Sequence, residues 1–389
     1  MQKITVLHIA SFNGNIGDNA NHTGLRRKLS NIIKQEITYA EIEIRHFYKS
    51  WNLRDFNSDD FISLCNKYQL VIIGGGNFFE LKWDYSHTGT TVNLSEETLK
   101  KIKTPILFFG LGSDIGKGYS ESTREKFNKF LQVVTNSDKY LVTVRNDGSF
   151  ETLSNLYGKE YIDKIYKVAD GAFFFKTEPV ALPINTRGKR FIGINVVCDM
   201  KPIRFSEKFT YDDFINAFSR FVNRFLQSQN KFDLIFFPHI YSDIEAISDV
   251  LNNINDQYRR YRVTVAPYIN GEGSDRYIFG LYQKCELILG MRFHSNVCAI
   301  AQNIPTIGLS SYKKIHDLYS ELGLLDKVVY VNEEGFENKL FNKIRDTLDN
   351  IEIIKKQYKQ INQRLNDVEN IFYQNLIEWL KRNKTIKGV

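Results

Sequence analysis

The sequence predicts an α/β protein built of two doubly wound, Rossmann-like domains with a long helical segment at the C-terminal end. Three observations lead there. Short apolar runs rich in Val, Ile and Phe recur with helix-length segments between them. The runs are continuous rather than alternating, the pattern of strands covered on both faces in a parallel sheet. The series then starts again partway along the 389 residues, a length that at ~100 to 200 residues per domain suggests two.

In chain order, the first series is ITVLHIA from Ile4, LVIIGGG from Leu70, PILFFGLG from Pro105 and KYLVTVR from Lys139. The stretch Lys176 to Arg190, interrupted by Pro179, Pro183 and Gly188, breaks both periodicities and marks the boundary. The second series is FIGINVV from Phe191, FDLIFFPH from Phe232, YRVTVAP from Tyr261, CELILGM from Cys285, PTIGLS from Pro305 and KVVYV from Lys327. The expected domains are therefore 1–180 and 188–365, with 366–389 a helix returning toward the first. From Phe336 to Lys384 there is neither Gly nor Pro, and apolar residues recur in steps of three and four from Leu340 to Leu380. That spacing means helix, read as a broken helix that closes the second domain and crosses back, in preference to a coiled coil.

Hydrophobic residues at 42% and charged residues at 25% describe a globular chain, not a disordered or fibrous one. No apolar run reaches the ~18 to 20 residues that cross a bilayer, and MQKITVLHIASFNG lacks the order of a signal peptide, so a cytoplasmic protein is expected. The four cysteines are scattered without CxxC or a histidine cluster, which indicates neither zinc nor disulfides. The net charge of +7 suits anionic substrates, a membrane surface or nucleic acid alike. The basic end Lys381, Arg382, Lys384, Lys387 reads first as a solvated helix terminus, with peripheral membrane contact a minority reading.

Ligands of parallel α/β domains gather at the carboxyl ends of the strands. Three such places are unusual. In SFNGNIGDNANHTGLRRKL from Ser11, Gly14 and Gly17 permit a tight turn, and Asn15, Asp18 and Asn19 sit where a helix begins, offering contacts to an anion or a sugar hydroxyl. Asp18 as a plain helix cap is the competing reading, and His22 is a weaker contact. VIIGGGNFFE from Val71 places three glycines after a strand, with Asn77 and Glu80 as candidate ligand contacts and strand packing as the alternative. In LILGMRFHS from Leu287 a strand ends at Gly290 and Arg292 and His294 follow at a helix start, where a fixed charge and a titratable imidazole can face one anion. Arg145, ending a strand in VRNDGS, either holds a carboxylate or pairs with Asp147. His239 in FFPHIYSD lines the same kind of cleft or caps and packs.

Taken in order, GNIGD, IIGGGN, PILFFGLGS, VRNDGS, VADGAFFF, FFPHIYSD and GMRFHS with IPTIGLSSYKKIHDLYSELGL resemble the polysaccharide pyruvyl transferase family. The resemblance implies a two-domain fold like that of GT-B glycosyltransferases. Its GxR[LF]H element falls on Gly290, Arg292, Phe293 and His294, and implies Arg292 in phosphoenolpyruvate binding and His294 as acid/base. Phe293, Arg145 and His239 join Arg292 as expected donor contacts, and Asn15, Asp18, Asn19, Asn77 and Glu80 as expected acceptor contacts. Asn19 stands where the family has Glu. The implied reaction transfers pyruvate from phosphoenolpyruvate, as a cyclic ketal, to a sugar of a capsule or exopolysaccharide or its polyprenyl-diphosphate-linked precursor. No metal or other cofactor is expected, since an imidazole with pKa near ~6.5 suits the proton transfers. A nucleotide-sugar GT-B glycosyltransferase is the nearest rival; a basic nucleic-acid-binding protein is remote, because no reading motif is present. Oligomeric state is left open.

Overall fold

The computed structural model describes residues 3–181 and 188–386, so Pro183 of the expected boundary and Lys387 of the basic end lie outside the described residues. The chain divides into two compact units: residues 1–12, 24–171 and 365–389 form the first, and 13–23 with 172–364 the second. Residues 13–23, in the N-terminal stretch of the sequence, thus belong to the second unit.

The first unit holds β1 (Ile4–Ala10), β2 (Ile37–Glu43), β3 (Leu70–Gly74), β4 (Ile106–Leu111), β5 (Tyr140–Arg145) and β6 (Tyr166–Val168). They form one parallel sheet in the order β2-β1-β3-β4-β5-β6. The second holds β7 (Arg190–Asn195), β8 (Phe232–Phe236), β9 (Val263–Val265), β10 (Cys285–Gly290), β11 (Thr306–Ser310) and β12 (Val328–Tyr330). Their order is β12-β11-β10-β7-β8-β9, again parallel throughout. Each sheet reverses its winding beside its first strand, between β1 and β3 and between β7 and β10. Outside the carboxyl ends at such switch points a crevice opens for ligands.

The sequence series lacks β2 and β6, the two edges of the first sheet. In ITYAEIE the residues from Ile37 to Ala40 are only half-buried and Glu41 is exposed, so no continuous apolar run marks the strand. β6 is three residues long. The central strands β3, β4 and β5 are buried at every position.

At the C-terminal end a helix Phe336–Asp349 breaks at Asn350, and a second runs unbroken over Ile351–Arg382. Within the second unit, Tyr358 of this helix is buried and donates its hydroxyl to Thr306 O, 3.1 Å away. Within the first, Phe372, Tyr373, Leu376, Trp379 and Leu380 pack with Ile4, Val6, Leu70 and Ile72 in one apolar cluster. In each unit the buried residues of this helix pack on that unit's own residues, while Ile353, Val368 and Ile371 stay exposed. Of the terminal basic group, Lys381 pairs with Glu378 and Arg382 with Asp138. No helix among the described residues is long and apolar enough to cross a membrane, and none of the four buried cysteines is in a disulfide.

Candidate active site

In the second unit the functional side chains gather at the β7/β10 switch point. β7 ends at Asn195, whose fully buried amide donates to Phe237 O (3.0 Å) and Asp243 Oδ2 (3.3 Å) while its Oδ1 accepts the Arg292 N–H (2.9 Å). One side chain thereby fixes both the backbone of Arg292 and the carboxylate that faces it. Arg292 follows β10 and stands at the N-terminus of the helix Phe293–Ala301, where it makes no side-chain cap. The first amides of that helix have no partner within it and are donors available to an anion beside Arg292.

The Arg292 guanidinium is aligned by the buried Asp243, with Nε 2.8 Å from Oδ2 and Nη2 2.5 Å from Oδ1. Its other edge meets the half-buried Asp199 more loosely, Nη2 at 3.3 Å and Nη1 at 3.4 Å. Burial alone would lower the pKa of Arg292, but Asp243 and Asp199 outweigh it and raise it, so the guanidinium stays charged. A second arginine, this one buried, shares Asp199: Arg204 donates from Nε to Asp199 O (3.0 Å) and from Nη1 to Ser311 Oγ (3.2 Å). Two arginines and two carboxylates thus form one lattice balanced in charge, with Arg204 and Asp243 buried, Arg292 half-buried and Asp199 its most exposed member.

His294, buried, is the second residue of the same helix, and its Nδ1 lies 3.9 Å from Asp18 Oδ1. Asp18 arrives on the first turn of the helix Ile16–Ile33. Asn15 starts that helix by accepting the Gly17 N–H at its Oδ1 (3.0 Å). Glycine at 17 is a matter of space: a Cβ there would lie 2.4 Å from His294 Cβ and Cγ. Asn19 is turned aside, donating to Ser274 Oγ (3.2 Å) and Gly271 O (3.4 Å). Phe293 stands edge-on to the His294 ring at 5.3 Å.

His239 is fully buried, with Nε2 2.8 Å from the Tyr282 hydroxyl, which in turn donates to Ser295 Oγ. Burial, with Arg292 and His294 adding to it, pushes its pKa well below the ordinary value, so the ring is neutral. Its geometry is that of a packing residue, the second of the two roles its sequence context allowed.

Arg145, Asn77 and Glu80 belong to the first unit. Arg145 donates from Nε to Asp147 Oδ2 (2.6 Å) and from Nη1 to Asp170 Oδ2 (3.4 Å), all three buried: the clamp arrangement. Asn77 donates to Glu80 Oε1, which also receives Lys117 Nζ, at the carboxyl end of β3. Of the three glycines there, Gly74 serves the sheet, since a Cβ on it would meet Phe109 O at 2.1 Å. Sequence reasoning missed Asn195, Asp199 and Arg204. The strand-end rule would have found Asn195, the last residue of β7, whereas Asp199 and Arg204 carry no motif.

Among the described residues no group of three or more His, Cys, Asp or Glu side chains could hold a metal ion. No curated protein matches the sequence significantly. Solved structures that share the fold include a glycosyltransferase from Rickettsia africae (TM-score 0.57, 12% identity, 98% of this chain and 99% of that one). A UDP-N-acetylglucosamine 2-epimerase from Neisseria meningitidis bound to UDP-GlcNAc superposes with TM-score 0.54 at 11% identity, over 96% of this chain and 100% of that one. A UDP-forming trehalose-phosphate synthase from Burkholderia xenovorans gives 0.53 at 10% identity, over 97% and 98%. These likenesses identify the GT-B fold and nothing finer. The family model for polysaccharide pyruvyl transferase matches residues 15–312, a span that holds Asp18, Arg145, Arg292 and His294, and the chain belongs to that family.

Proposed function

We propose that the protein transfers pyruvate from phosphoenolpyruvate to two hydroxyls of one sugar in a surface polysaccharide or its lipid-linked precursor, in the cytoplasm, forming a cyclic ketal. The observation that carries this reading is the pairing of Arg292 with His294 at the β7/β10 switch point, one charged and fixed by Asp243, the other beside Asp18.

Phosphoenolpyruvate carries a carboxylate and a phosphate. The Nη1 edge of Arg292 holds Asp199 only loosely, a contact that an incoming oxyanion can replace with a stronger two-point bond. Arg204 stands behind the displaced Asp199, and the amides at the start of the helix Phe293–Ala301 add donors for the second anionic group. Chemistry then needs a proton on the enol methylene. His294 delivers it to carbon 3, carbon 2 becomes electrophilic, one sugar hydroxyl adds there and the carbon–oxygen bond to phosphate breaks. The second hydroxyl closes the ring. Of the two hydroxyl protons released, one makes good the proton given to the methylene and the other leaves with phosphate. Asp18 Oδ1, 3.9 Å from Nδ1, faces the imidazole from the start of the helix Ile16–Ile33.

Nucleotide-sugar transfer on the same fold would release nucleotide rather than inorganic phosphate. Incubation with phosphoenolpyruvate or with UDP-sugars over a panel of oligosaccharide and lipid-linked acceptors separates the two. Acceptor-dependent phosphate release and a product heavier by one pyruvyl ketal are expected; nucleotide release instead overturns the reading.

A further inference from the structure

We propose that the turn after β2 in the first unit docks the protein on an anionic lipid bilayer. From the carboxyl end of β2 the chain makes a short 3-10 turn, Ile44–Phe47, and then reverses sharply. The amides of Trp51 and Asn52 donate to Tyr48 O at 3.0 and 2.8 Å, and those of Leu53 and Arg54 to His46 O at 3.0 and 2.8 Å. Asn52 takes the left-handed conformation, φ +49°, that such a tip requires. On either side of the tip Phe47 and Phe56 are buried and stacked with centroids 3.8 Å apart. The turn is therefore rigid, and it holds two large apolar side chains in water: Trp51 is 49% exposed and Leu53 64%.

A second loop, leaving the carboxyl end of the neighbouring part of the sheet after β3, widens this surface. Trp83 lies 6.2 Å from Tyr48 and 5.8 Å from Tyr85, which is itself 43% exposed. Cations interleave with the rings: Lys49 Nζ sits 5.7 Å from the Tyr85 centroid, Lys82 Nζ, which also meets Glu80 Oε2 at 3.4 Å, lies 4.8 Å from that of Trp83, and Arg54 is exposed at the tip. Two nearby carboxylates, Asp55 and Asp84, accept the Asn57 N–H and the Ser120 hydroxyl, bonds that orient them without removing their charge.

Aromatic rings with polar tips, a branched aliphatic side chain and flanking Lys and Arg match the interface of a bilayer with acidic headgroups. A glycan fits less well. Sugar hydroxyls are read by carboxylates and amides, and Leu53 offers neither a flat face nor a hydrogen bond. The basic C-terminal end competes poorly for this role, because the large apolar side chains beside Lys381 and Arg382, namely Trp379, Leu380 and Ile386, are buried.

The proposal goes beyond the reaction read above and is tested without donor or acceptor, so either can fail alone. The full chain is mixed with vesicles of phosphatidylcholine containing phosphatidylglycerol, and with phosphatidylcholine alone, and sedimented. Binding is expected only to the acidic vesicles and should weaken with salt. The tryptophan emission of the wild type should shift to the blue, and Trp51→Phe should abolish the shift. Lys49→Gln and Arg54→Gln should each weaken binding roughly fivefold, and Trp51→Ser with Leu53→Ser by ~10-fold or more. These positions are exposed, so circular dichroism should show the fold intact. No binding by the wild type, unchanged binding by the Trp51 and Leu53 double variant, or loss of binding only in Lys381→Gln with Arg382→Gln would overturn the proposal. An emission shift with soluble dextran but not with vesicles would make the surface a glycan platform and overturn it equally.

Discussion

At the scale of single residues the site depends on contacts that tolerate little change. A methyl at position 17 would overlap His294, so in Gly17→Ala either the imidazole or the start of the helix Ile16–Ile33 must move. Displacements of ~1 Å near reacting atoms can cost ~100-fold in rate. Gly17→Ala should therefore lower kcat by about 10- to 100-fold with little change in phosphoenolpyruvate KM, and steady-state kinetics check it. His294→Ala should lower kcat by ~10²- to 10⁴-fold, and His294→Gln should not restore it, because an amide bonds without shuttling protons. Near-normal turnover in either variant removes His294 from the mechanism. Arg292→Lys keeps the charge and loses the fork that Asp243 and the donor share, so the donor KM should rise. Arg292→Ala is a poorer probe, since it leaves the buried Asp243 unpaired and breaking such a pair costs about 3 to 5 kcal/mol.

At the scale of elements, burial decided what could be read in advance. Strands buried on both faces, such as LVIIG in β3, announce themselves as continuous apolar runs; the edge strand ITYAEIE does not, because its outer positions meet water. GMRFHS was legible for the same reason as β3, a buried run ending abruptly in Gly and Arg. Asp199 and Arg204 were not, because only the fold brings Asp199 to Arg292 and Arg204 to Asp199. The C-terminal helix was legible from its spacing, yet its least expected residue sits on its buried face. Glu369 accepts the Ala169 N–H, and burial, against the opposing pull of Lys28, pushes its carboxyl from an ordinary 4.5 up to about 8. The folded state thus keeps a proton that the unfolded chain has lost. Stability contributed at this position is complete below about pH 4.5 and declines as pH rises toward about 8. Glu369→Gln stays neutral, so its melting temperature should exceed the wild type's most clearly above about pH 8, with the difference closing toward about pH 4.5. Parallel melting curves over that range would show that Glu369 titrates normally.

At the scale of the whole molecule, the fold and the site carry different information. The GT-B fold, here two parallel six-stranded sheets, is shared with a 2-epimerase bound to UDP-GlcNAc and with a UDP-forming synthase, at 11% and 10% identity. The donor reading proposed above therefore rests on side chains at the switch point, Arg292, Asp243, Asp199, Arg204 and His294, rather than on anything the sheet order dictates. That lattice is neutral by its own pairing, so it attracts an anion only by exchanging Asp199, its most exposed partner, for the ligand. A small dianion or trianion with two separated anionic groups can make that exchange. A ligand present at ~100 times its Kd stabilises the folded state by about 2.7 kcal/mol, provided it binds only that state. Phosphoenolpyruvate alone should accordingly raise the melting temperature of the protein. UDP-GlcNAc and UDP should not, and Arg292→Lys should remove most of the response. The shift should survive in His294→Ala, which keeps the arginine and loses only the proton carrier. Stabilisation by UDP-GlcNAc with none by phosphoenolpyruvate would mean that the site takes a nucleotide sugar and that Arg292 serves the architecture alone.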